Sequence, residues 1–495
     1  MIPSKAKRAG LYLLVAISGF VLGVVALYIH SIRSGPSLEP WHTEKLTAEF
    51  TARRADEVSN FDDYLKLEDE LFDQLDEKVY APTATGPEYE LVRYSSGSAS
   101  DPKRWDRNWN RSFELASAEP VGGVLLLHGM SDSPYSLRTL GEVLHQHGFW
   151  VVGLRLPGHG TAPSGYKYAR WEDMAAAVRL AMSHLGSKVG PEAVHIIGYS
   201  NGAPLAVNYT LEALDDGAFP APKSLVLLSP AIGVSRAAAL AKWMSRISVL
   251  PGLEKLAWTD IQPEYDPFKY NSFTTNAGDQ VFRLARRVAR AVEERASDGL
   301  IEDFPPTLAF LSAVDATVSV DAVVDNLLGH LAPGRHELVL YDINRRRIAQ
   351  SVLVSDPGPL TARLMGDEGL PFALTLITNE DDQSTGVVTR SKAPMSSRVS
   401  TEAMYAFWPT GVISLSHVAL PFPPDDPLYG RGPAPNEEIV FLGHLDVRGE
   451  RNLLRFPADW LMRLRHNPFY DYQEARILEW LGGSMAEDQA DPLLK

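Results

Sequence analysis

Gly198-Tyr199-Ser200-Asn201-Gly202 lies between an apolar run, 193–197, and the helix-patterned segment APLAVNYTLEAL. A serine on a sharp strand-to-helix turn projects its Oγ above a sheet, and the flanking glycines allow the close backbone approach that this strained turn needs. Such a serine suits nucleophilic attack on a carbonyl, a reaction that needs two preorganised N–H donors where charge develops on oxygen. The sequence offers a natural pair in the backbone N–H groups of Asn201 and Met130. Met130 belongs to Leu127-His128-Gly129-Met130, at the end of the apolar run GVLLL. His128, fixed before a glycine at a strand end, reads as a loop brace rather than a general base. The chain has no cysteine, so covalent catalysis must use another side chain.

The elements that must hold these residues follow from the apolar patterning. Runs at 124–127, 150–154, 193–197, 224–228, 307–314 and 337–341 are short, mostly apolar and separated by helix-length segments. Continuous apolar strands with helical crossovers imply a parallel sheet covered on both faces, hence an α/β fold. Upstream, Phe61, Leu65, Phe72, Leu75 and Val79 recur at helical spacing among acidic residues and predict an amphipathic packing helix over 60–80. Runs at 89–94 and 112–115 predict an antiparallel lead-in hairpin. Between Pro230 and Pro305 the alternation stops in favour of helix formers, which predicts a helical cap over the strand ends. A second excursion, about 342–411, carries β-type runs at 351–354 and 372–378, and the 455–481 tail has helical patterning.

The motifs HGMSDSP, LPGHGTAP (156–163) and GYSNG, in this order and spacing, resemble the α/β-hydrolase superfamily. The closest branch is that of monoacylglycerol lipases, bacterial carboxylesterases and serine-aminopeptidase-like hydrolases. The resemblance covers about 121–230, resumes at 305–320 and is weak elsewhere. It implies a mainly parallel sheet with a helical cap, a turn after His-Gly carrying an oxyanion donor, and catalytic residues in the order serine, acid, histidine. Pro306-TLAFLSAV-Asp315-ATV is similar to the family's strand, acid and small turn. Asp315 therefore takes the acid position, with Asp321, placed where a helix N-cap falls, as competitor. His417, in VISLSHVALPF, resembles the family's Ser-His-Val loop. His444 in FLGHLDV is the alternative; His330 and His336 flank a loop expected to face solvent, and His466 falls in the helical tail. The resemblance thus implies an ester-cleaving serine hydrolase with Ser200, His417 and Asp315, no cofactor and no metal, and an amide-cleaving aminopeptidase as the variant of the same machinery. A non-catalytic scaffold is the reading from another class.

Composition sets the limits. Lys and Arg number 47 against 62 Asp and Glu, a net charge of −15, which disfavours a nucleic-acid groove. Hydrophobic residues at 45% and charged residues at 22% match a packed globular chain of one large domain with accessories. Residues 11–29 contain no charge and only Ser18 as a polar side chain. At about 1.5 Å per residue they span roughly 28 Å, the thickness of a bilayer's hydrocarbon core. Lys5, Lys7 and Arg8 precede this segment, so an uncleaved single-pass anchor would leave 1–10 cytoplasmic and the body on the extracytoplasmic, periplasmic side. The resulting organisation is linker and amphipathic helix at 30–85, hydrolase at 86–230 and 305–481, cap at 231–304 and an acidic tail at 482–495. Partners are then a small or lipid-like ester and a membrane. Arg283, Arg286, Arg287 and Arg290 make a basic helical face, read as solvated. Leu240, Trp243, Met244, Ile247, Leu250, Leu253 and Trp258 line an acyl pocket or pack within the cap. Asp425-Asp426 supplies too few ligands for a cation.

Overall fold

The computed structural model describes Tyr12, Gly19, Gly23 and residues 35–482, apart from positions 56, 218, 234–252, 298, 316, 348–352, 354–355, 433–438 and 444–463. The apolar runs form strands because side chains without charge can be buried on both faces of a sheet. They are β1 (Phe113–Leu115), β2 (Gly123–Leu127), β3 (Trp150–Leu154), β4 (Val194–Tyr199), β5 (Leu225–Leu228), a small pair β6 (Trp258–Asp260) and β7 (Phe273–Thr274), β8 (Thr307–Ser312) and β9 (His336–Tyr341). Beyond them lie β10 (Ala373–Asn379), β11 (Gly386–Lys392) and β12 (Val399–Phe407). The main sheet runs β1-β3-β2-β4-β5-β8-β9-β10-β11-β12. Its pairings from β3 to β10 are parallel, whereas β1, β11 and β12 pair antiparallel at the two margins.

Besides a single turn at Pro40–Thr43, the helices are α1 (Phe61–Leu75), α2 (Arg138–Gln146), α3 (Trp171–Val189), α4 (Gly202–Asp215), α5 (Thr275–Arg295), α6 (Val320–Asn326), α7 (Gly358–Gly366) and α8 (Tyr470–Leu481). Their apolar stripes build the two largest cores. One joins α1, α3, α4 and α5 to one face of the sheet, and the other joins α2 and α8 to the opposite face. α1 is amphipathic as its spacing predicts, capped by Asn60, whose side chain accepts from Asp63 N–H. Its Glu68, together with Glu49, holds the buried Arg155 at 2.8 and 3.0 Å and so fastens the lead-in segment to the LPGHG loop.

Several expectations change. Residues 89–94 form a 3₁₀ turn and further turns rather than a strand. Their backbone groups are satisfied elsewhere, Arg93 N–H by the Glu264 carbonyl and the Glu90 carbonyl by Ala99 N–H, so β1 pairs with β3 alone. The 231–304 segment is divided: 234–252 lie outside the described residues, 253–274 form a short turn and the β6–β7 ribbon, and α5 belongs to the flanking layer. Leu284, Val288 and Val292 on α5 make the helical-period stripe that the sheet flank buries. The 342–411 excursion widens the sheet, since β10 continues the parallel order beside β9 and β11–β12 fold back antiparallel. Of the 455–481 tail, the helix described is α8. The 11–29 segment is outside the described residues save Tyr12, Gly19 and Gly23; among the described residues no helix is long and apolar enough to cross a membrane.

Candidate active site

In an open parallel sheet the carboxyl ends of neighbouring strands converge on one edge, where ligand sites form. The register does this here: Leu127 faces Gly198, Tyr199 faces Leu228, and Leu228 faces Phe310. The loops after β2, β4 and β8 therefore rise side by side.

Ser200 sits between β4 and α4 with φ at +51°, a left-handed conformation that costs a non-glycine residue about 1–3 kcal/mol. The neighbours hold it there. Ser200 N–H donates to the Leu228 carbonyl at 2.9 Å, and its own carbonyl accepts from Ala203 and Ala231. Gly202 is required by contact, because a Cβ there would lie 2.1 Å from the Leu127 carbonyl oxygen. The turn after β2 is pressed just as closely to the serine, since a Cβ on Gly129 would lie 3.0 Å from the Ser200 Cβ. Met130 follows in that turn, and Asn201 opens α4 directly after the serine.

His417 comes from the loop after the 342–411 excursion. Its Nε2 lies 3.1 Å from Ser200 Oγ, and its Nδ1 lies 3.0 Å from Asp315 Oδ2. The structure thus brings Ser200, His417 and Asp315 together, all three buried. The other Asp315 oxygen accepts from Thr317 and Val318 N–H at 2.7 and 2.9 Å. Burial alone would push the Asp315 carboxyl up. The adjacent His417 imidazole, its hydrogen bond and the two N–H donors outweigh burial and hold the acid below its ordinary value.

The alternatives lie elsewhere. Asp321 lies in the first turn of α6, whose cap is Ser319, and it pairs with Arg363 at 2.6 Å. His330 bonds the Asp325 carbonyl. His336 is buried at the start of β9 rather than facing solvent, because it pairs across the sheet with Thr307. His466 precedes α8 and is buried, with Nδ1 3.4 Å from the Tyr429 carbonyl. His444 lies outside the described residues. His128 braces its loop: Leu156 N–H donates to its Nε2 at 3.1 Å, and its Nδ1 faces the Gly129 carbonyl at 2.9 Å. Asp426 caps a local turn, accepting from Leu428 and Tyr429 N–H. Among the described residues no group of three or more His, Asp or Glu could hold a metal ion. Leu240, Trp243, Met244, Ile247 and Leu250 lie outside the described residues, while Trp258 is buried edge-on against His42. Arg283 pairs with Glu172 across α5 and α3.

Sequence reasoning missed the residues that steady the Met130 turn. The Tyr166 hydroxyl accepts from Ser131 N–H at 2.5 Å, Tyr270 N–H donates to the Ser131 carbonyl, and the Lys269 ammonium pairs with Asp132 at 3.0 Å. Tyr199, the variable residue before the serine, packs its ring 5.5 Å from that of His417.

Residues 118–341 match the family described as serine aminopeptidase, S33 (Hydrolase_4). A thermostable monoacylglycerol lipase of Bacillus sp. (strain H-257) is 28% identical over 141 residues, 27% of this chain. The match spans 55% of that lipase, little more than half its length. Among solved structures, the Paleococcus ferrophilus monoacylglycerol lipase is similar at 21% identity and TM-score 0.36, over 47% of this chain and 88% of that one. A soluble variant of monoglyceride lipase from Saccharomyces cerevisiae is similar at 12% identity and TM-score 0.38, over 47% and 82%. The family match over 118–341, the lipase relative and the mostly parallel sheet indicate the α/β-hydrolase superfamily, in its lipase and esterase branch.

Proposed function

We propose that the chain is a serine hydrolase that cleaves carboxylic esters, lipid-like esters among them, through an acyl-enzyme. The observation that carries this reading is the continuous set of contacts from Asp315 Oδ2 through His417 to Ser200 Oγ, 3.0 and 3.1 Å long. Ser200 Oγ attacks the carbonyl carbon as His417 Nε2 takes its proton; Asp315 holds the imidazole in the tautomer that leaves Nε2 free to accept. The backbone N–H groups of Met130 and Asn201 stabilise the oxyanion. His417 returns the proton to the leaving alcohol, and water then deacylates Ser200 by the same route.

The same residues could cleave an amide, and the matched family's description names an aminopeptidase. A free substrate amine would call for an uncommitted carboxylate. Asp132, beside the Met130 turn, is held by Lys269, and Asp266 receives the Tyr429 hydroxyl, which favours the ester.

The reading extends to location. The uncharged 11–29 segment serves as a single-pass anchor, with 1–10 cytoplasmic and the hydrolase on the periplasmic side. A reporter active in one compartment only, fused after Lys495, checks this orientation; activity of the cytoplasmic reporter alone reverses it. The chemistry is tested by labelling with a fluorophosphonate, which should modify the wild type and spare Ser200→Ala. A panel of esters and aminoacyl amides then separates the two bond types.

A further inference from the structure

A cavity of about 170 Å³ lies between the 265–271 segment and the loop that follows His417. One wall includes Val418, the residue after His417, together with Phe422. The facing wall includes Lys269, whose ammonium reaches Asp132, two residues beyond Met130. The cavity thus borders the loop that carries the general base and is tied through Lys269 to the turn that carries Met130.

Its polar groups are unevenly committed. Both oxygens of Asp266 receive the Tyr429 hydroxyl, at 2.8 and 2.7 Å, and one also receives Phe268 N–H. Lys269 makes one ion pair and keeps further N–H donors, since an ammonium has three. Arg465 differs. Its guanidinium rests 5.9 Å from the Tyr429 ring centroid, its Nε is buried without a partner, and it makes no hydrogen bond or ion pair among the described residues. Its backbone is nevertheless fixed, because His466 bonds Tyr429 and Asn467 N–H donates to the Phe422 carbonyl at 2.8 Å. The Asp266 carboxylate lies near enough to feel the Arg465 charge, but its oxygens are taken up by Tyr429 and Phe268. The guanidinium, held on the frame that carries His417, keeps its N–H donors for an oxyanion, which a planar donor fork can bind in two-point fashion.

We propose that this cavity binds an anionic group of the substrate, a carboxylate or a phosphate, through Arg465 with Lys269 beside it, so that the preferred ester carries a negative charge close to its scissile bond. The proposal rests on Ser200 being the nucleophile of an ester hydrolase, and its test separates the two. Turnover is compared on mono-4-nitrophenyl glutarate against its methyl ester, and on 1-butyrylglycerol 3-phosphate against 1-butyrylglycerol. A charge-assisted contact predicts a preference of about 10- to 100-fold in kcat/KM for the charged member of at least one pair. The pair that shows it identifies the carboxylate or the phosphate as the anion. In Arg465→Gln the charged-to-neutral ratio should collapse towards one, and Arg465→Lys should restore part of it. A wild type without preference in either pair, or an Arg465→Gln variant that keeps the wild-type ratio, overturns the subsite. If none of the esters turns over, the ester reading fails. Binding of both glutarate esters to folded Ser200→Ala, by calorimetry, then decides the subsite alone. Tighter binding of the charged ester by about tenfold, lost in the Ser200→Ala/Arg465→Gln double variant, supports it; equal binding overturns it.

Discussion

Asn344 donates its backbone N–H to the Ile413 carbonyl at 2.7 Å, and its side-chain amide donates to the Val412 carbonyl at 3.1 Å. The chain leaves the end of β9 and returns to it at one point, so α7 and β10–β12 form a loop closed at its base. His417 follows this closure by four residues. Asn344 therefore ties the end of β9 to the segment that carries His417.

Replacing Asn344 with Ala keeps the backbone bond but removes both the donor to the Val412 carbonyl and the acceptor of the Asn379 amide, and a buried polar group left unpaired costs about 1–3 kcal/mol. We expect Asn344→Ala to lower the melting temperature by several degrees and kcat by about tenfold, with KM changed less. The decisive comparison is with a core variant of equal instability far from His417. If both lose activity alike, Asn344 is only structural.

The contacts of His417 with Ser200 and Asp315 predict strong non-additivity. Ser200→Ala and His417→Ala should each lower kcat by several orders of magnitude, and the double variant should be hardly worse, because one unit can be broken only once. Circular dichroism and melting should show an intact fold in each. Losses that multiply in the double variant would separate His417 from Ser200.

How far the sequence already disclosed this arrangement depended on how local each signal is. The strands of the parallel core and the Ser200 turn were legible because each is encoded within about ten residues, by an uncharged run or by glycines that the turn's contacts demand. His417 stands 217 residues from Ser200 and 102 from Asp315, and only the resemblance of its loop distinguished it from His444. The role of 342–411 was not legible. Whether a β-type run such as 372–378 joins an existing sheet depends on a partner strand, β9, that its own pattern does not name. α5 was assigned to a cap because helical periodicity reports which face is buried, not what covers it. Lys269, Tyr166 and Arg465 left no signal, as single polar residues acquire meaning only from what folds against them.

Asp315 and Asp321 are separated by one short turn, yet they differ in every contact. Asp315→Asn should keep the fold and lose most of kcat, since an amide facing His417 Nδ1 no longer holds the reactive tautomer. Asp321→Asn removes only an exposed ion pair with Arg363, of a kind that contributes about 0–1 kcal/mol, and should retain most activity. The pair is assayed at saturating ester. A dead Asp321→Asn beside an active Asp315→Asn would reverse the assignment.

Stability should fall on mild acidification for a reason independent of catalysis. His42, His159, His195 and His336 are buried, and burial is the leading cause holding each below its ordinary value, to about 4, 3, 4 and 4 respectively. A histidine that is neutral when folded lets the unfolded chain take up the proton first as pH drops below about 6.5. Its contribution is intact above that value and is lost progressively down to its folded pKa, at up to about 1.4 kcal/mol per pH unit. His195 isolates the effect, because it lies within β4, away from the Ser200 end, with Nδ1 2.7 Å from the Ser224 hydroxyl. In His195→Asn the unfolding free energy, measured by urea between pH 6.5 and 4.5, should decline less steeply with falling pH, by the equivalent of up to one proton. An unchanged slope would mean that His195 takes up its proton as readily in the folded protein as in the unfolded chain, and would overturn the burial argument for this residue.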